Sequence, residues 1–334
     1  MNFWNLSKDE ITPPRCEYYI AAGAICSVAT NSEAIQAAAR QSFAQAGEPL
    51  DPPDVSMYFW VDSSAQSCPP WPQAYFRGLN HLVFAGFDSE NAFLVDLQTQ
   101  RILGRLSPSM AADRIYWKRV IFPALFGIVC QTIGITPIHC ACVARDGDGA
   151  LLAGDSGAGK STLSLALAQI GLTFLSDDWT YLSRRDGRLL AWGLNTPLKL
   201  LAGAAQHFPE LAVITPDVSF NGELAYEVEP DRMFGIRRSA CAEPRWLIFL
   251  ERQEASGVSL AEMPSAEAAA RFEENLEGLP SAVSGARDFL VETIRILVQR
   301  PCWLLRFGGK PHAVARALYD FLEDHAGAHP SRRD

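Results

Sequence analysis

The chain has 334 residues, 48% of them hydrophobic, and a formal net charge of −9. That length allows one large or two moderate domains with a substantial core, and the acidic balance argues against a general nucleic-acid binder, which would present a basic face. The first ten residues are polar and mixed and carry no signal-peptide pattern. The eight cysteines form no C-x-x-C pair, and Cys140-x-Cys142 lacks the second pair that a zinc site needs. They read as reduced, mostly buried thiols of a cytoplasmic protein.

In chain order, 1–15 read as a loose leader and 18–29 as β-like. Asn31 or Ser32 caps a helix over 32–46, with Ile35, Ala38, Ala39 and Phe43 on one side. A strand is predicted at 55–61, and the prolines at 69, 70 and 72 make 63–72 a loop. Strands follow at 81–87 and 92–96, across the Asp88-Ser89-Glu90-Asn91 turn, and at 101–106. A soft boundary near Ser107 separates a smaller α+β domain (1–107, a candidate for substrate or partner recognition) from a second domain over 108–325. The tail, 326–334, reads as disordered.

A helix is predicted over 110–130. The apolar stretch 120–144 is long enough to suggest a membrane span, but Pro123, Gln131, Pro137 and His139 interrupt it. A buried helix followed by a strand is the reading, with no membrane as partner. Strands at 139–145 and 150–153 form a hairpin around Asp146-Gly147-Asp148-Gly149.

Next comes Gly154-Asp155-Ser156-Gly157-Ala158-Gly159-Lys160-Ser161, followed by Thr162. It fits the phosphate-binding pattern G-x-x-x-x-G-K-[ST] in full. An apolar strand precedes it, and Leu163, Leu165, Ala166, Leu167 and Ile170 mark a helix after it. The glycines let the backbone curl so that successive N–H groups face phosphate oxygens, and the helix start adds unpaired donors and partial positive charge. Lys160 supplies a point charge for the β- and γ-phosphates, and Ser161 a hydroxyl ligand for Mg²⁺. The expected ligands are therefore ATP and Mg²⁺. The alternative, an accidental glycine-rich turn, is at odds with both flanks.

Strands are predicted at 173–176, 180–183, 189–191, 245–250 and 303–307, and helices at 266–276, 284–298 and 311–324. The first of these strands ends in Asp177-Asp178, where a Mg²⁺ ligand is needed. One carboxylate can hold the metal and the other can accept the proton of an attacking hydroxyl; the alternative is a surface turn or helix cap. His139, beside the loop's strand, can donate to the terminal phosphate or orient a carboxylate, the alternative being a satisfied core histidine. Arg237-Arg238, in a glycine-containing stretch over 230–242, reads either as a mobile arginine loop closing on the γ-phosphate or as a solvated charge pair. Glu227 and Glu229 are weaker metal or substrate candidates.

Taken together, His139, the loop from Gly154 to Ser161, Gly171 and the apolar strand ending in Asp177-Asp178 resemble the HPr serine kinase/phosphorylase catalytic domain, a family related in fold to phosphoenolpyruvate carboxykinase. The resemblance implies an α/β fold: a catalytic domain with a mixed sheet, preceded by the smaller α+β domain. It implies that Lys160 contacts the transferred phosphoryl group and Ser161 ligates Mg²⁺. Asp178 then accepts the proton of a substrate serine, Asp177 stands at the metal and His139 sits at the phosphoryl end. Two features depart from the family pattern. Thr162 stands where the HPr enzymes usually carry an acid, and the stretch Ala191-Trp192-Gly193-Leu194-Asn195 lacks the carboxylate that supplies a second metal ligand. The chain is similar to the broader set of HPr-kinase-like proteins, some of which occur with peptide-modification systems. Relatives often assemble, so a homo-oligomer is implied as well.

The function expected is a Mg-ATP-dependent kinase acting on a serine of a small protein or peptide. The readings kept beside it are a nucleotide-binding regulatory or assembly module without phosphotransfer, and a small-molecule kinase.

Overall fold

A computed structural model describes residues 14–49, 51–273 and 284–326. Residues 1–13 of the leader expected over 1–15, residues 327–334 of the tail expected over 326–334 and the end of the helix expected over 266–276 lie outside the described residues. The chain divides into two compact units, Met1–Ile121 and Phe122–Asp334. Both mix helices with sheets of mixed direction, as an α/β chain should.

In the first unit, β1 (Arg15–Ala21) and β2 (Ala24–Thr30) form a hairpin, where the sequence had suggested a single β-like stretch. Its turn places Ala22 at φ 49° and Gly23 at φ 83°, the doubly left-handed geometry that matches strand twist. Helix α1 (Glu33–Ser42) is capped by the Ser32 hydroxyl, which accepts from the Ile35 amide at 3.5 Å. The strands β3 (Ala44–Ala46), β4 (Val55–Val61), β5 (Tyr75–Leu79), β6 (Leu82–Gly86), β7 (Ala92–Asp96) and β8 (Arg101–Leu106) complete an eight-stranded sheet among the described residues, in the order β3-β1-β2-β4-β8-β7-β6-β5. Met57 and Phe59 alternate inward on β4, against Phe93 and Ile102.

The helix expected over 110–130 is broken. Helix α2 (Pro108–Ala112) ends at Asp113, whose φ and ψ of −78° and 77° leave the helical region. The Asp113 carboxylate then caps α3 (Arg114–Tyr116) by accepting from the Tyr116 amide at 3.0 Å. A π-turn over Trp117–Ile121 follows, then α4 (Phe122–Val129) and a 3₁₀ turn over Cys130–Ile133. Trp117 packs edge-on to Phe59 at 5.0 Å between ring centres, so the division between units falls beyond Ser107.

The second unit is built on a mixed sheet whose long strands change neighbours along their length. In β9 (Ile135–Arg145), the first half pairs with β12 (Trp179–Arg185) and the second with β10 (Asp148–Ala153) and β11 (Thr173–Ser176), all antiparallel. The end of β13 (Arg188–Trp192) pairs with the start of β17 (Cys241–Arg252), which then runs parallel to both β10 and β19 (Cys302–Gly308). A small separate sheet holds β14 (Leu198–Leu201), β15 (Asp217–Val218) and β16 (Leu224–Val228). The remaining elements are α5 (Lys160–Gln169), α6 (Pro230–Phe234), β18 (Gly257–Glu262), α7 (Ser265–Glu273), α8 (Ser284–Leu297) and α9 (Pro311–Ala326).

Consecutive residues of β10 and β17 enter two different cores. Leu152, Ile248 and Leu250 pack with Leu163 and Leu167 of α5 and Val314 and Leu318 of α9. Leu151, Leu247 and Phe249 pack on the other side with Phe272 of α7 and Ile294 of α8. A sheet covered on both faces explains the unbroken apolar runs in these strands. The stretch 120–144 is divided between α4 and β9, and no helix among the described residues is long and apolar enough to cross a membrane.

Candidate active site

The glycine loop leaves the C-terminal end of β10 and turns into α5. Gly157 and Gly159 hold φ of 82° and 100°, values that strain a residue with a Cβ. Gly159 is the residue from which α5 starts, and no side chain caps that helix end. The loop carbonyls hold the lysine: Lys160 Nζ donates to Gly154 O at 2.7 Å and to Asp155 O at 3.2 Å. Burial lowers the Lys160 pKa, and the charges of Asp178, Asp155 and Asp177 oppose that fall.

The acid pair bridges β11 and β12. Ser176 and Thr180, on either side of it, share a hydroxyl–hydroxyl bond of 2.6 Å, and Thr180 Oγ1 donates to Cys140 O at 2.9 Å. This pins the ends of the turn to β9. The register of β12 on β9 sets Trp179 opposite His139, with the two rings 5.4 Å apart. Asp178 is thereby delivered to the histidine, and its Oδ1 lies 2.7 Å from His139 Nε2. The Asp178 side chain is 58% exposed, whereas Asp177 is 5% exposed. Two adjacent carboxylates thus occupy opposite environments.

Asp177 Oδ2 accepts from the Lys199 amide of β14 at 3.2 Å. Burial first, and then the Asp178 charge, push the Asp177 carboxyl up to about 7; the Lys199 amide and the Ser161 hydroxyl act against the rise. The folded carboxyl therefore holds its proton to higher pH than the unfolded value of 3.8. Its contribution to stability is complete below pH 3.8 and is lost as pH rises through about 7. We expect Asp177→Asn to match the wild type only below pH 3.8, to pull ahead as pH rises from there, and to exceed it by a few kcal/mol (order of magnitude) at pH 8. Thermal melts of both proteins across that range test this, and parallel curves would overturn it.

These groups line one cavity of about 680 Å³, with His139, Lys160, Ser161, Asp177 and Asp178 on its walls. Ser156, Gly157, Gly159 and Thr162 of the loop line it too. Gly154, Asp155 and Ala158 shape the loop from behind: Ala158 N donates to Asp155 O at 3.1 Å. The cavity also takes residues that no motif marks. Lys199 reaches across the small sheet, with Nζ donating to Asn221 Oδ1 at 2.6 Å and Glu223 Oε2 at 2.5 Å, and all three line the cavity with His207 and Arg252.

The arginine loop is corrected. Arg238 lies over the Phe174 ring at 5.7 Å, donates to Leu194 O at 3.4 Å and stands 3.9 Å from Glu229. The Arg237 guanidinium donates to Gly171 O at 2.5 Å. Both hold the 230–242 stretch against β11 and its approach, and neither lines the cavity among the described residues. Glu227 and Glu229 do not line it either. The eight cysteines form no disulfide, and burial pushes the Cys140 thiol up to about 12.

Among the described residues, no three His, Cys, Asp or Glu side chains group as a metal cage. Mg²⁺ makes little demand for one, since it keeps several waters and binds through one or two protein groups and substrate phosphates. A buried Asp177 interacting with the Ser161 hydroxyl fits that donor set.

No family model matches the chain, and no curated protein matches it. Among solved structures, the chain is similar to the HPr(Ser) kinase/phosphatase from Coxiella burnetii, at 14% identity and a TM-score of 0.30, over 57% of this chain and 99% of that one. A likeness of that degree leaves the functional reading to the residues of the site.

Proposed function

We propose that the second unit is a Mg-ATP-dependent kinase that transfers a γ-phosphoryl group to a serine hydroxyl of a peptide or small protein. The observation that carries this reading is the convergence on one cavity of a lysine held at a glycine loop and an exposed carboxylate bonded to a histidine.

The loop amides and Lys160 receive the β- and γ-phosphates. The Lys160 ammonium exchanges its two loop carbonyls for phosphate oxygens, a stronger charge-assisted pairing. Ser161 and Asp177 would hold Mg²⁺, which when bound neutralises charge on the phosphate oxygens. The serine oxygen attacks the γ-phosphorus, its proton passes to Asp178, and the β–γ bridging P–O bond breaks with ADP as leaving group. His139 occupies Asp178 Oδ1 and leaves Oδ2 for the incoming hydroxyl. Most of the catalysis is positioning and charge stabilisation.

Lys160→Ala is the direct test of the nucleotide half of this reading. Calorimetry with Mg-ATP is expected to show affinity about tenfold weaker or worse, given the strength of charge-assisted bonds. Phosphoproteomics of cells carrying wild type and variant identifies the acceptor. Unchanged ATP affinity in the variant would defeat the proposal.

A further inference from the structure

The cavity's charged groups come from two sets of elements. Asp177, Asp178 and Glu223 lie with His139, Lys160 and Lys199 around the loop and the small sheet. The rest of the wall comes from the end of β17, the turn after β14 and the chain entering α9, through Arg252, His207, Gly309 and Pro311. His207 shows what surrounds it. Burial first, and then its neighbours Arg252, His312 and Lys310, lower its pKa. Arg252 and Lys310 make no ion pair among the described residues. Other arginines of this unit do: Arg145 with Glu323, Arg184 with Glu292, Arg188 with Glu243, Arg245 with Asp148 and Arg306 with Glu251.

A chain with a net charge of −9 has acids to spare, yet Arg252 and His207 line this cavity with no ion pair of their own among the described residues. Like charges held together destabilise the empty protein, and an anion placed among them relieves the repulsion. His207 and Arg252 also have donors to offer a phosphate or carboxylate, and the arginine can do so through two parallel bonds.

We propose that Arg252 and His207, with Lys310 beside them, form a second anion subsite in this cavity, separate from the glycine loop. It takes a phosphate or carboxylate group. That chemistry has two sources: a phosphate of the bound nucleotide other than those on the loop, or an anionic group on the acceptor. The first source rests on the nucleotide reading above; the subsite itself does not.

The test is calorimetry on the full chain with two probes, a non-hydrolysable Mg-ATP analogue and inorganic phosphate, the latter titrated into both nucleotide-free and analogue-loaded protein. The variants are Arg252→Gln and Lys310→Gln, both at exposed positions, with circular dichroism to confirm folding. About tenfold weaker analogue binding in Arg252→Gln, on the scale of a charge-assisted bond, supports the subsite and assigns it to the nucleotide. Unchanged analogue binding with loss of phosphate binding to the loaded protein supports it and assigns it to a second molecule. Wild-type behaviour of both variants towards both probes overturns it. Lys160→Ala run in parallel keeps the readings apart: if it binds the analogue like the wild type, the nucleotide reading fails, and the phosphate titration of nucleotide-free protein still decides the subsite.

Discussion

Asp178→Asn is expected to lower phosphoryl transfer by about 10²- to 10⁴-fold, the range for removing a positioned general base, and to leave ATP affinity within about threefold of wild type. The two halves of this result come from different parts of the site. Asp178 stands outside the loop and is 58% exposed, so no phosphate contact should depend on it. The amide that replaces it keeps the shape and can still bond His139, but it cannot take a proton from the attacking serine. Single-turnover transfer to the acceptor identified by phosphoproteomics, alongside calorimetry with ATP, separates chemistry from binding. Equal transfer by variant and wild type would remove Asp178 from the reaction. If the wild type binds ATP and transfers phosphate to no serine, the nucleotide-binding module without phosphotransfer takes its place.

The site was legible where chemistry and local structure share one stretch of chain. The glycine loop announces itself, because few sequences set an apolar strand, that glycine spacing and an apolar helix in a row. The pair Asp177-Asp178 could be read for a similar reason, since it ends the next strand. The hairpin of β9 and β10, turning at Asp146 and Gly147 with φ of 51° and 90°, was visible in its turn residues. Lys199, Asn221, Glu223, His207 and Arg252 were not legible. They enter the cavity from the small sheet, a 3₁₀ turn and a strand end, elements with weak local patterning whose meeting is decided by tertiary packing. Arg238 misleads for the opposite reason. A guanidinium near Gly235 reads as exposed, and nothing nearby in sequence shows that Phe174 will lie beneath it. The break at Asp113 had a local signal in principle, as Asp is a strong helix-starting residue, but the apolar periodicity running across it hid the cap.

Gly193→Ala is expected to destabilise the protein by about 3 kcal/mol or more, the upper range for overpacking against an unyielding neighbour, and to lower the melting temperature by about 10 °C. A Cβ built on Gly193 meets Leu175 O at 2.0 Å and Leu175 C at 2.6 Å. These are backbone atoms, so no side-chain rotation relieves the overlap. Movement on either side is resisted. Gly193 N donates to Ala240 O at 3.0 Å, and β11 is paired along its other edge to β9 at Thr173, Phe174 and Ser176. The strand that would have to shift is the one that delivers Asp177, two positions beyond Leu175. The variant should therefore lose phosphoryl transfer at temperatures where it is still folded. Gly285→Ala is the matched control: it lies within α8 with nothing within 4 Å of the added Cβ, and alanine there is expected to be neutral or to stabilise by up to about 1 kcal/mol. A Gly193→Ala protein that melts within about 2 °C of the wild type, a difference on the order of 1 kcal/mol or less, would show that β11 can move away from this contact. The close approach of Gly193 would then not be what fixes the carboxylates in place.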